Sequence, residues 1–229
     1  MRASRAFTLI ELLMAIGVIA ILAALVLSAF SHTRATTQAI TCRNNLRQWG
    51  LATHSFATDH QDLLPPEGKP TPLETDLLNP TYQGWYIQLP EQMNLPRYRD
   101  MPWRTNHLIH PENSVWICPS NPRRCDASTK TNNLFHYCLN DHVDGTGTNY
   151  ENYSMQMANV RRPSQVVWLF DNGKLAAVAQ QNNVHSNLHS RGAQFLFIDG
   201  HVARFRNKEY WNFTANNGIT NNPELVWIP

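Results

Sequence analysis

Two groups of residues in this chain have types and spacings that could do chemistry. The first is a single acid. Glu11 stands at the front of 19 residues without a formal charge, Leu12–Phe30. That run is long enough to span or nearly span a bilayer as a helix. A charged side chain near the bilayer interior costs about 2.5–3.5 kcal/mol on insertion scales, so an acid there needs a partner. The second group lies late in the chain. Asp171, His185, His189, Asp199 and His201 supply imidazoles and carboxylates of the kind that hold a divalent metal. The simpler reading is that Asp199-Gly200 makes a turn, with His189 bonded to a loop carbonyl or to the Asp199 side chain, and no metal is expected. A calcium variant would draw on Asp141 and Asp144 in the Asn140–Asn149 loop, but no EF-hand spacing is present.

Four cysteines offer a third kind of chemistry: Cys42, Cys118, Cys125 and Cys138. No Cys-x-x-Cys pair exists, which argues against zinc. All four follow the apolar segment, on the side of a membrane where disulfides persist. Three pairings are open to four cysteines, and sequence alone does not choose among them. The expectation is Cys42–Cys118, stapling helix to domain, with Cys125–Cys138 closing a loop. The chain has no nucleophile elbow, phosphate-binding glycine loop or zinc-protease motif, so no enzyme and no cofactor are expected.

Charge and hydropathy set the topology. The 229 residues carry a formal net charge of +2 and a mean hydropathy of −0.40. With so apolar a start, that average requires a polar remainder, one soluble domain of ordinary size after residue 60. The near-neutral balance offers no basic field for nucleic acid. Arg2 and Arg5 precede the apolar run, which keeps the leader in the cytoplasm and sends the domain outside.

The leader Met1–Ala6 followed by Phe7-Thr8-Leu9-Ile10-Glu11 resembles the cleavage and methylation segment of type IV prepilins and type II secretion pseudopilins. The resemblance implies a cut between Ala6 and Phe7 by prepilin peptidase and methylation of the new amino terminus. Ala6 stands where the family usually has Gly, and Ser28 where many members have Pro. Glu11 becomes the fifth mature residue, whose implied role is to pair with the terminal ammonium of a neighbouring subunit, so that two buried charges neutralise each other. Further on, His189 precedes Asp199-Gly200 by ten positions. With Cys42-Arg43-Asn44-Asn45-Leu46 and Cys118-Pro119-Ser120, this is similar to prepilin-like proteins carrying the processing-associated H-X9-DG domain. That family name implies export and processing, not an activity.

The elements that must position these residues follow from periodicity. Ala39, Cys42, Leu46, Trp49, Thr53 and Phe56 recur at steps of three and four, one stripe of a helix. A single helix from about Phe7 to Thr58, roughly 75–80 Å at the standard rise, would end at the breakers of Asp59–Pro66. Residues 65–111 read as loops with short strands or turns. Their aromatics, such as Trp85, Tyr86, Tyr98 and Trp103, would form either core anchors or a carbohydrate platform. Ser114–Cys118 and Gln165–Phe170 read as strands. Ala193–Ile198 and His201–Phe205 flank Asp199-Gly200 as a two-residue hairpin. The first of these strands is apolar on both faces, hence central.

The fold class expected is α+β, pilin-like, a long helix (transmembrane, then amphipathic) packed on an antiparallel sheet. Residues 1–6 form the leader, 7–30 the transmembrane and assembly helix, 31–60 its amphipathic continuation, and 61–229 the globular domain with the H-X9-DG motif. The function expected is a structural subunit of a type II secretion pseudopilus or type IV pilus-like filament, in the bacterial inner membrane with its domain in the periplasm or at the cell surface. Its partners would be prepilin peptidase, other pilin-like subunits, the inner-membrane assembly platform and the membrane itself. The alternative is a membrane-tethered carbohydrate-binding module delivered by the same route.

Overall fold

The computed structural model describes residues 8–104, 106, 108–109, 114–122, 134–143 and 155–229, without the side chains at 26, 28, 29, 31 and 32. Ala6, Phe7, Cys125 and Asp144 lie outside this set. The chain divides into two compact units, residues up to Thr37 and Gln38–Pro229. One helix, α1 (Leu9–Asp59), supplies residues to both.

In the first unit α1 is the only element among the described residues. Its Leu, Ile and Val side chains from Leu9 to Leu27 are exposed wherever described. A lone helix has nothing of its own to bury them against. Among the described residues no helix is long and apolar enough to cross a membrane.

In the second unit α1 does find a partner. Cys42, Leu46, Trp49, Thr53 and Phe56 are buried, whereas Arg47 and Gln48 are exposed, as the stripe requires. Their partner is a five-stranded sheet in the order β3-β1-β2-β4-β5. Its strands are β1 (Tyr137–Asn140), β2 (Val167–Asp171), β3 (Val178–Ala179), β4 (Gly192–Phe197) and β5 (Val202–Arg206). Pairing is antiparallel except between β1 and β3, so a short parallel edge makes the sheet mixed.

The alternation of side chains along β4 divides the core in two. Leu196 and Ile198 join the helix side with Leu46, Trp49 and Trp168. Phe195 and Phe197 face the other layer with Phe170, Tyr210, Leu225 and Trp227. A register shift between Val167 and Leu169 turns Trp168 and Leu169 both into the helix-side core. Asn140 ties down the C-terminal segment, its Nδ2 donating to the carbonyls of Val167 and Trp227.

Four expectations change. Ser114–Cys118 is a buried turn rather than a strand, because its carbonyls are taken by α1: Asn45 Nδ2 donates to Ser114 and Ile117, and Trp49 Nε1 to Val115. The hairpin loop has three residues, not two. The Gly200 amide donates to Phe197 O and the Phe197 amide to His201 O, with Gly200 at φ +87°, the pattern of a turn closed by a glycine bulge. The aromatics at 82–116 build no platform, since Trp85, Tyr86, Tyr98, Trp103 and Trp116 are buried. They stack around Trp49 and Phe135, with Tyr98 and Phe135 centroids 4.2 Å apart. Finally, Cys125–Cys138 is not formed: Cys138 is a free buried thiol, its side chain held in the layer behind the sheet. Burial first, then the nearby Asp141 charge, pushes that thiol well above its usual range, so it stays protonated.

The stripe gives a paired test. Leu46 is 0% exposed and Leu51 72%. Leu46→Ala is expected to lower unfolding free energy by about 2–5 kcal/mol, and Leu51→Ala by less than about 0.5 kcal/mol, by denaturant unfolding of the full chain in detergent. Equal losses would contradict the assignment of faces.

Candidate functional site

Two places hold the residues singled out by the sequence. The first is the start of α1. The Leu12 amide donates to Thr8 O at 3.2 Å, which makes Thr8 the N-cap. Glu11 reaches back over it: its Oε2 accepts the Thr8 backbone N–H at 2.9 Å and the Thr8 hydroxyl at 2.8 Å. The Glu11 N–H donates in turn to Thr8 Oγ1 at 3.3 Å. This is a capping box, which satisfies helix-end donors reciprocally. Sequence reading took Glu11 as an acid and missed Thr8. The signal was present as Thr-x-x-Glu ahead of an apolar run. Both bonds fall on Oε2. Among the described residues Oε1 has no partner, and Glu11 is exposed.

The second place lies inside the globular domain. Cys42 of α1 and Cys118 form a disulfide, as expected, across a sequence separation of 76. Closing a loop of that size removes about 4 kcal/mol of chain entropy from the unfolded state. Against it lies His189. Its Nε2 is 3.5 Å from Cys118 Sγ and 3.1 Å from Asp171 Oδ2. Both neighbours are acceptors, so Nε2 carries the proton. The same Oδ2 accepts the Gln194 backbone N–H at 2.8 Å. The His189 and Asp171 side chains are both 0% exposed. Among the described residues, Asp171 Oδ1 and His189 Nδ1 are buried without a hydrogen-bond partner.

The backbone pays a conformational cost to place this histidine. His189, Ser190 and Arg191 have φ of 43°, 59° and 66°, three consecutive left-handed residues that cost about 1–2 kcal/mol each. Arg204 clamps them, donating from Nε to His189 O at 2.8 Å and from Nη2 to Ser190 O at 2.6 Å. The Leu188 and Gly192 amides exchange bonds across the turn. A side chain at Gly192 would meet Phe205 O at 2.3 Å, so only glycine fits there.

This geometry explains the ten-residue spacing. Between His189 and Asp199 lies β4 with its two end turns, so the two residues stand at opposite ends of one strand. His189 pairs with Asp171, not with Asp199 or a loop carbonyl. Asp199 instead binds its neighbour, accepting from the His201 amide at 3.1 Å and lying 2.6 Å from His201 Nδ1. His185 Nδ1 accepts the Asn187 amide. The five metal-ligand candidates therefore do not converge on one point: Asp171 pairs with His189 and Asp199 with His201, at opposite ends of β4. Among the described residues, Cys42, Cys118 and His189 come close enough to share an ion, but the sulfur–sulfur bond consumes the thiolates that would ligate it.

What the cluster does chemically is hold four segments together: α1, the Cys118 turn, the end of β2 and the turn before β4. Removing one partner of a buried pair strands the other. His189→Ala is therefore expected to cost about 3–5 kcal/mol of unfolding free energy, with the disulfide kept oxidised. His201→Ala, at the exposed pair, should stay within about 0.5 kcal/mol. Two neutral variants would remove the structural role given to His189.

Comparison with known proteins bears on the first place. Residues 1–27 match the family model described as the prokaryotic N-terminal methylation motif. No curated protein and no solved structure matches the chain. The N-terminal motif supports a type IV pilin-like protein processed by prepilin peptidase, anchored through its N-terminal segment.

Proposed function

We propose that this chain is a structural subunit of a pilus-like filament, either a type II secretion pseudopilus or a lineage-specific type IV pilus-like fibre, rather than an enzyme. The observation that carries the reading is the methylation motif at residues 1–27. Prepilin peptidase cuts between Ala6 and Phe7, and methylation follows at Phe7. The Leu12–Phe30 run holds the chain in the inner membrane before assembly, with the domain on the periplasmic side. In the filament that run packs against neighbouring subunits.

The geometry at Glu11 supports the assembly step. A carboxylate whose two oxygens divide the work can cap its own helix through Oε2 and accept a neighbour's terminal ammonium on Oε1. The cap holds the side chain in one rotamer, so less freedom is lost when the ammonium arrives. In the globular domain the His189–Asp171 pair is closed to substrate, both side chains being 0% exposed.

Variants of Glu11 separate the two duties. Glu11→Gln keeps an oxygen for the cap but loses the charge, and Glu11→Ala loses both. In the native host, both variants are expected in the membrane fraction at wild-type amounts and absent from sheared or overexpressed filaments. Full incorporation of Glu11→Gln would show that charge pairing does not drive assembly.

A further inference from the structure

A surface cleft of about 300 Å³ opens just beyond the end of β2. Three segments wall it: the Gly173-Lys174 turn after β2, residues 182–186, and a small hairpin of β6 (Trp211–Asn212) and β7 (Asn217–Gly218). Hydrogen bonds fix the walls to one another. The Gly173 amide donates to Asn183 O at 2.6 Å, and the Gly218 amide to Asn182 Oδ1 at 2.8 Å. The Lys174 amide donates to Asn172 Oδ1 at 2.9 Å. The cleft is thus formed before any ligand arrives.

Its lining is mostly polar, with Val184 and the His185 imidazole among the amides. Trp211 is half-buried, packed on the rear core layer while still lining the cleft. Around it stand the amides of Asn182, Asn183 and Asn216 and the Ser186 hydroxyl. Asn182 has its oxygen occupied by Gly218, which leaves its NH2 to donate. Among the described residues, the Asn183, Asn216 and Ser186 side chains have no hydrogen-bond partner. Amides and hydroxyls both donate and accept, which suits vicinal hydroxyls, and an indole presents a flat apolar face beside them. Among the described residues no carboxylate lines the cleft, so they provide neither a hard divalent cation site nor a carboxylate pair for glycoside hydrolysis. Among the described residues Lys174 is its one permanent cation. A single ammonium without a glycine-rich cradle or helix end is a poor phosphate clamp, but it favours a ligand with one carboxylate.

We propose that this cleft binds a saccharide, with the ring against Trp211, hydroxyls on Asn183, Asn216 and Ser186, and a preference, set by Lys174, for acidic sugars. The volume lies at the small end of ligand sites, about 300–1,000 Å³, which limits recognition to one or two rings. Binding here is independent of filament assembly, so this inference and the proposed function can fail separately.

The test uses the full chain in a detergent without a sugar headgroup, probed with oligogalacturonate, alginate and hyaluronan oligosaccharides beside cello-, malto- and chito-oligosaccharides. Saturation-transfer NMR and calorimetry are expected to show binding of at least one acidic series, more tightly than the neutral ones. Asn216→Ala, at an exposed loop position, should weaken every saccharide about tenfold, and Trp211→Ala at least as much. Lys174→Ala should erase the acidic preference and leave neutral binding unchanged. Should Trp211→Ala unfold the hairpin, the exposed Asn216 and Lys174 variants decide alone. Failure of every oligosaccharide to bind at millimolar concentration would overturn the proposal. Saccharide binding indifferent to Asn216→Ala and Lys174→Ala would do the same, as would retention of peptides in place of sugars.

Discussion

Helix α1 must satisfy two different surroundings, and the rest of the molecule is arranged around that constraint. From Cys42 to Phe56 its apolar stripe is buried by the protein's own sheet. From Leu9 to Leu27 the described apolar side chains are exposed. Apolar surface on that scale is stable only against lipid or other chains. The globular domain therefore has to grip the later stretch of the helix, while the earlier stretch is left for partners the chain does not contain.

The grip rests on a small number of expensive contacts. The Cys42–Cys118 bond fixes α1 to the middle of the chain, and Asn45 and Trp49 take up carbonyls of the same turn. His189 and Asp171 close the cluster from the sheet side. A buried pair of this kind contributes little net stability compared with apolar packing, but it penalises any arrangement that separates its members. Three left-handed residues are tolerated at 189–191 because Arg204 and the β4–β5 hairpin over-determine them. The motif of a histidine followed by Asp-Gly thus measures a strand and its turns.

Much of this was legible in the sequence, because the signals were local. The stripe from Cys42 to Phe56 reports a helix face directly, and Phe195, Leu196, Phe197 and Ile198 report a strand buried on both sides. Gly200 marked the hairpin, though hydrogen bonding had to decide between a two- and a three-residue loop. What the sequence hid was non-local. Nothing near His189 announces Asp171, which ends an apolar strand 18 positions earlier. Nothing in Ser114–Cys118 announces that α1 side chains would claim its carbonyls and prevent pairing. The aromatics at 82–116 were ambiguous for the same reason, since only the fold reveals that they surround Trp49. Thr8 is the exception: its capping role is local, written as Thr-x-x-Glu ahead of the apolar run.

Assembly as proposed begins at the amino terminus, where a new ammonium must be created for Glu11 to meet. Mass spectrometry of the protein from its native host measures this directly. The expected result is a chain beginning at Phe7 with a methylated amine, lacking Met1–Ala6. A chain still beginning at Met1 would contradict it, leaving a tethered domain with no terminal partner to offer its neighbours.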